Sequence, residues 1–120
     1  MTDQPDDGPI TFDLDAAKAR MDGQDSLVRA MLGFFVQELP PLMAEVDQAA
    51  EAGDAAAAVR PAHTIKTHCL NFGVEPCAGN AKQIELSGKE GDAAAIREAW
   101  PSVRRQLAEA VRVVETEMLA

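Results

Sequence analysis

Two long segments of the chain carry apolar residues at regular steps of three and four positions, and this periodicity limits the fold more than any other feature. The first runs from about Asp25 to Ala52 and contains Leu27, Val28, Met31, Leu32, Phe35, Leu39, Leu42, Met43 and Val46. The second runs from Asp92 to about Met118 and contains Ile96, Trp100, Val103, Leu107, Ala110, Val114 and Met118. Such steps place the apolar side chains along one stripe of an α-helix. We therefore predict two long amphipathic helices.

End signals predict a third helix between these two. Gly53 stops the first long helix, and Asp54 is an N-cap candidate because its carboxylate can accept a hydrogen bond from a free amide of the next helix. That helix should run from Ala55 to about Phe72. Gly73 should end it, since glycine tolerates the left-handed conformation that often follows a helix.

A fourth, shorter helix is predicted after this turn. Pro76 suits the first position of a helix, because its missing amide would have no partner there. The helix should end at about Leu86 or Ser87, with Gly88 and Gly91 marking its exit.

The N-terminal part of the chain predicts a flexible segment followed by a lid. Residues 1–9 are acidic and rich in turn formers, and we expect them to form a disordered leader. Acidic cap candidates at residues 12–15 then predict a short helix that ends near residues 22–23. We expect this helix to lie as a lid across one end of the bundle that the other helices form. Residues 10–120 should form one domain.

Four prolines fall inside the predicted helices. Pro40 and Pro41 predict a bend in the first long helix, because an interior proline removes one backbone hydrogen bond and crowds the preceding turn. Pro61 predicts either a kink or a free carbonyl one turn back. Pro101 predicts either a kink or a separate short opening helix.

Length and composition favour one helical domain. The chain has 120 residues, 47% of them hydrophobic, which is enough for a single compact core. Tyrosine is absent and aromatics make up 4%, a composition that favours helices over sheets. We predict an all-α fold, an antiparallel up-down-up-down four-helix bundle with a short N-terminal lid helix, and a monomer by default.

The formal net charge of −9 argues against a nucleic-acid binder, because phosphate contacts need a concentrated basic surface. The start of the chain has no basic and apolar signal-peptide pattern, and no later apolar run is long enough to span a bilayer. We expect a soluble cytoplasmic protein without membrane contact. In that compartment Cys69 and Cys77 should remain thiols, with Cys69 acting as a small buried hydrophobe.

Residues 63–73 form the chemically most informative stretch. His63 and Lys66 lie three positions apart and would share one face of a helix, so the lysine ammonium could balance an anionic group on the imidazole. His68 would point about 140° away, and we interpret it as structural or solvated. No metal-ligand spacing links the histidines with Cys69 or Cys77, so no metal site is expected.

The stretch Ala62-His63-Thr64-Ile65-Lys66 resembles the Ala-His-x-Leu-Lys motif of histidine-containing phosphotransfer (HPt) domains, and the likeness extends from Phe12 onward. The resemblance implies that His63 is the phosphoacceptor on its Nε2 atom, that Lys66 stabilises the phosphoryl charge, and that Gly73 is the helix-ending glycine of the motif.

Farther along, Ile84-Glu85 falls where the family often has Leu-Glu or Leu-Gln. The resemblance implies that Glu85 orients the imidazole from the neighbouring helix and that Lys89 adds a basic rim. The chain departs from the family at Thr67, where a small residue usually follows the lysine. Its hydroxyl could donate to the phosphoryl group, or its bulk could act as a steric gate.

The resemblance also implies the partners. The expected donor is a receiver-domain aspartyl phosphate or a sensor histidine kinase, either simple or hybrid, and another receiver is expected to accept the group. Because the chain has no nucleotide-binding loop, we expect it to bind no cofactor, with Mg²⁺ on the partner receiver. An apolar rim from residues such as Leu32, Phe34 or Phe35 would supply the docking area. The alternative function is a non-phosphorylated adaptor or inhibitor that docks a receiver or kinase.

Overall fold

The computed structural model describes residues 5–119, which form an all-α bundle. The helices are α1 (Leu14–Arg20), α2 (Asp25–Ala52), α3 (Ala55–Asn71), α4 (Cys77–Lys89) and α5 (Ala93–Val113), and one π-helical turn, Val114–Met118, extends α5. Helices α2 to α5 form a closed ring in which each packs against the next and α5 packs against α2, while α1 contacts α2. This confirms the predicted four-helix bundle with a short N-terminal helix.

The core lies along the two stripes that the sequence predicts. The buried side chains of α2 are Leu32, Phe35, Leu39, Met43, Val46 and Ala49, and those of α5 are Ile96, Trp100, Val103, Leu107 and Ala110. Phe35 packs edge-on against Phe72, with ring centroids 5.9 Å apart. Leu27, which the pattern includes, is 42% exposed and lies outside the core.

Aspartate caps set the first residues of α1, α3 and α5. The side chains of Asp13, Asp54 and Asp92 accept hydrogen bonds from the amides three residues on, at 3.0–3.2 Å. These carboxylates provide acceptors for first-turn amides that have no partner within their own helix. The cap at Asp54 confirms the predicted start of α3.

A left-handed glycine ends α3 as predicted. Gly73 has φ 58°, and a Cβ atom built there would lie 2.7 Å from Cβ of Asp13. The chain can therefore reverse tightly between α3 and α4 while the N-terminal segment passes close by.

The interior prolines do not divide their helices. Pro40 and Pro41 lie within α2, Pro61 within α3 and Pro101 within α5, and each helix is continuous across them. The alternative of a separate opening helix before Pro101 is therefore wrong.

Helix α4 differs from the prediction at both ends. Pro76 is its N-cap residue and not its first helical residue, so the helix begins one position later than expected, at Cys77. The helix continues to Lys89, so the predicted end at Leu86 or Ser87 is too early, and Gly88 is an interior residue. A Cβ atom at Gly88 would lie 2.8 Å from both the carbonyl oxygen of Ala55 and Cγ2 of Val59. Gly88 therefore permits close contact between α4 and α3.

Part of the predicted disordered leader contacts the bundle in the structure, while residues 1–4 lie outside the described residues. The amide of Asp6 donates to Oδ1 of Asn80 at 3.1 Å, and Nδ2 of Asn80 donates back to the Asp6 carbonyl at 3.0 Å. Nε2 of Gln106 donates to the same carbonyl at 2.7 Å. Because Asn80 is 5% exposed, its amide group needs such partners, and the sequence pattern alone did not reveal them.

Both cysteines are free and buried. A hydrogen bond with Cys77, together with burial, raises the pKa of the Cys69 thiol, so Cys69 behaves as the small buried group that the sequence predicts.

Within residues 5–119, no helix combines the length and the apolar character that a bilayer crossing requires.

We predict that Gly88→Ala destabilises the bundle, because the new methyl group would collide with α3. Overpacking of this kind typically costs about 1–3 kcal/mol. Gly33→Ala is the matched control: Gly33 lies inside α2 and a Cβ there meets nothing within 4 Å. That variant should be neutral or more stable by up to about 1 kcal/mol, because alanine favours helices. Urea unfolding measures both, and equal stability of the two variants would contradict the close α3–α4 contact.

Candidate functional site

His63 stands on the outer face of α3. Its side chain is 57% exposed, whereas Ala62 and Ile65 beside it are buried. Because those apolar neighbours face the core, the helix cannot rotate without exposing them, and the imidazole is held toward solvent. Lys66 lies on the same side, with its side chain 21% exposed.

The carboxylate of Glu85 joins the basic groups of this face. Oε2 lies 2.9 Å from Nδ1 of His63 and Oε1 lies 2.8 Å from Nζ of Lys66. Nζ of Lys89 lies 3.4 Å from Oε2, one turn along α4. The Glu85 side chain is 6% exposed, so these contacts replace most of its hydration. The structure thus brings Glu85 together with His63, Lys66 and the predicted rim residue Lys89.

The pKa of Glu85 is lowered from 4.5 to about 2. The hydrogen bond from Lys66 is the main cause, and the contacts with His63 and Lys89 add to it, while burial acts in the opposite direction. Glu85 is therefore an anion at neutral pH.

This arrangement assigns different roles to the two imidazole nitrogens. A carboxylate can only accept a hydrogen bond, so Nδ1 carries the proton that Glu85 binds. In the neutral ring Nε2 then holds the lone pair, and it has no hydrogen-bond partner within residues 5–119. An exposed nitrogen with a fixed lone pair can act as a nucleophile.

Thr67 is exposed and lies one turn after His63. Its hydroxyl donates to the backbone carbonyl of His63 at 3.2 Å. A role as donor to a phosphoryl group would require the hydroxyl to leave that carbonyl. The donor role and the steric role of Thr67 both stay predictions.

Two of the apolar side chains predicted for the docking rim are buried. Leu32 is 4% exposed and Phe35 is fully buried, so neither can contact a partner, and their assignment to the docking rim is wrong. Both belong to the core stripe of α2. The exposed apolar side chains nearest in sequence are Phe34 (49%) and Leu70 (52%). Leu70 follows His63 by seven positions, a spacing that places it on the same helix face and could have revealed it.

His68 has a structural position. Its Nε2 lies 2.9 Å from Oε1 of Glu38 on α2, and its side chain is only 13% exposed. The ring also stands edge-on to Phe35, 6.5 Å between centroids. These contacts connect α3 to α2 and agree with the interpretation of His68 as structural.

In the part of the chain that the structure describes, His, Cys, Asp and Glu form no group of three or more able to hold a metal ion.

Comparison with known proteins identifies the family. Neither the curated proteins nor the solved structures yield a match. The family model described as the Hpt domain matches residues 30–116, which include His63, Lys66, Glu85 and Lys89. The match begins after α1, so it gives no support to the likeness seen from Phe12 to Arg29. It covers well over half of the chain, and the chain therefore belongs to the Hpt domain family.

Proposed function

We propose that this protein is a phosphocarrier of a two-component phosphorelay. His63 accepts a phosphoryl group from a receiver-domain aspartyl phosphate or from a sensor histidine kinase, either simple or hybrid, and passes it to another receiver in the cytoplasm. The observation that supports this most strongly is the exposed Nε2 of an imidazole whose Nδ1 is bound to a buried carboxylate. Hpt domains as a family carry phosphoryl groups and are not enzymes on their own.

The transfer step follows from the two nitrogens. The Nε2 lone pair attacks phosphorus as the bond to the aspartyl oxygen breaks, and the partner's carboxylate leaves with that electron pair. The imidazole ring becomes positively charged, with its Nδ1 proton still bound to Glu85. Glu85 balances this new charge, and the reverse step regenerates the neutral ring. Mg²⁺, where needed, belongs to the partner receiver.

The two lysines supply positive charge where the phosphoryl oxygens arrive. Lys66 and Lys89 both contact Glu85, so the three side chains carry one net positive charge. Glu85 holds the ammonium groups near the ring before any partner binds, which avoids the entropy cost of recruiting flexible lysines during transfer. Phe34 and Leu70, in place of Leu32 and Phe35, supply apolar area for docking.

We predict that His63→Gln abolishes phosphorylation, because glutamine has no nucleophilic nitrogen. Incubation with a phosphorylated receiver domain should leave an acid-labile, base-stable label on the wild type and none on the variant. His68→Gln is the control and should keep the label, since His68 binds Glu38 on another face. Equal, negligible labelling of wild type and His63→Gln would contradict the relay and favour the adaptor function.

Lys66→Ala should slow phosphorylation by about 10-fold, equivalent to about 1.4 kcal/mol of lost transition-state stabilisation. Circular dichroism should show an intact fold, because His63 and Lys89 still contact the Glu85 carboxylate. Lys18→Ala is the control, since that lysine pairs with Asp25 at the α1–α2 corner. Unchanged transfer rates in rapid-quench measurements of Lys66→Ala would remove this lysine from the mechanism.

We predict that Glu85→Gln lowers the free energy of unfolding by an amount that depends on pH, because the wild-type carboxylate ionises. The folded pKa of about 2 lies below the ordinary 4.5, so the charged form stabilises the fold above about pH 4.5 and this contribution disappears as the pH falls toward 2. The difference in free energy of unfolding between wild type and Glu85→Gln should therefore be largest near neutral pH and shrink across that range.

Glu109→Gln is the control for this experiment. Glu109 pairs with Arg112 within α5, but both side chains are about half exposed, so removing the charge should change stability little at any pH. A stability difference for Glu85→Gln that stays constant from neutral pH to pH 2 would show that its charge has no role in the fold.

A further inference from the structure

Charge is distributed very unevenly over this acidic protein. Helices α3 and α4 together contain four cations, Arg60, Lys66, Lys82 and Lys89, and one carboxylate, Glu85. With neutral histidines these two helices carry a net charge of +3, although the whole chain carries −9. The other residues therefore carry −12. We call the four cations the basic face.

The register of the two helices gathers these cations around His63. Glu85 contacts both His63 and Lys66, and Gly88 lies against Val59. In this antiparallel pair the Lys89 end of α4 lies beside the Arg60 part of α3, and Lys82 lies toward the Lys66 end. Arg60 precedes His63 by three positions and Lys82 precedes Glu85 by three, so each shares a face with its site residue.

Two of the four cations have no ionic partner among residues 5–119. Lys66 and Lys89 contact Glu85, whereas the side chains of Arg60 and Lys82 are exposed and form no hydrogen bond or ion pair within residues 5–119. The α5 arginines 104 and 112 are paired with Asp47 and Glu109. Arg60 and Lys82 thus offer free positive charge on either side of the phosphoacceptor.

We propose that the basic face is an electrostatic docking surface for an acidic protein domain, and that it selects, among receiver domains, those whose docking faces are rich in carboxylates. The inference rests on the proposed function and adds the chemistry of the partner to it. Complementary charge accelerates encounter and rejects partners of like charge. The net charge of −12 on the other residues disfavours contact with an acidic partner elsewhere on the protein, which favours an orientation with the partner's acidic face toward His63.

The test compares single charge deletions that change the net charge equally. Arg60→Ala and Lys82→Ala each remove a cation of the basic face, while Arg105→Ala removes an exposed cation from α5 that has no hydrogen bond or ion pair within residues 5–119. The readout is the second-order rate constant of phosphotransfer from purified, phosphorylated receiver domains of the same organism, measured from about 50 to about 500 mM NaCl, a range over which screening becomes strong.

The wild-type rate constant should fall steeply with salt, and most steeply for the most acidic receivers. Arg60→Ala and Lys82→Ala should each lower it about 2- to 5-fold at low salt and flatten the salt dependence, with the rate at saturating receiver unchanged. Arg105→Ala should behave as wild type. Equal losses in all three variants, or a rate independent of salt, would overturn the proposal.

Binding of the same receivers to His63→Gln separates this proposal from the proposed function. This variant keeps every charge of the basic face but cannot be phosphorylated. One outcome is that no receiver transfers phosphate to the wild type, while adding Arg60→Ala to His63→Gln still weakens receiver binding. That result would support the docking surface and contradict the phosphorelay function. Tighter Arg60-dependent binding of single-stranded DNA or of phosphatidylglycerol vesicles than of acidic receivers would overturn the acidic-protein assignment.

Discussion

The buried carboxylate of Glu85 is the interaction on which the site depends. A carboxylate that is 6% exposed is unfavourable unless hydrogen-bond donors replace its hydration, and here an imidazole N–H and two ammonium groups do so. The same contacts bind α4 to α3 and set the proton position on the imidazole. The Glu85 carboxylate therefore contributes both to helix packing and to the orientation of the imidazole. Its low pKa is the electrostatic result of this arrangement.

Close packing of α3 against α4 makes that contact possible. Gly88 has no side chain where a Cβ would meet the Ala55 carbonyl and Val59, so the two helices approach closely one turn from Glu85. On the other side of α3, His68 binds Glu38 and contacts Phe35. Helix α3 is thereby held on both flanks, and only the face that bears His63 is left to solvent. The free cations Arg60 and Lys82 lie on this side of the molecule.

The sequence predicted much of this arrangement because its local signals are strong. The bounds of α2, the caps of α3 and the placement of His63 with Lys66 follow from periodicity, capping residues and helix geometry. The exposed apolar side chains were harder to predict, because Leu32, Phe34 and Phe35 are all apolar and lie close together in sequence, and only the rotation of α2 against its neighbours decides which one is exposed. The role of Gly88 was missed for a similar reason: a glycine near a helix end looks the same whether it stops the helix or packs against a neighbour.

The amino-acid sequence by itself determined the helices, their order, the amphipathic stripes and the histidine–lysine pair, since each depends on residues within a turn or two of one another. The tertiary structure alone decided which apolar side chains face solvent, how residues 6–8 bind Asn80 and Gln106, and how one carboxylate meets three basic groups. These features join residues that are far apart in the chain, and their geometry depends on how the helices rotate and approach one another, which no local pattern specifies.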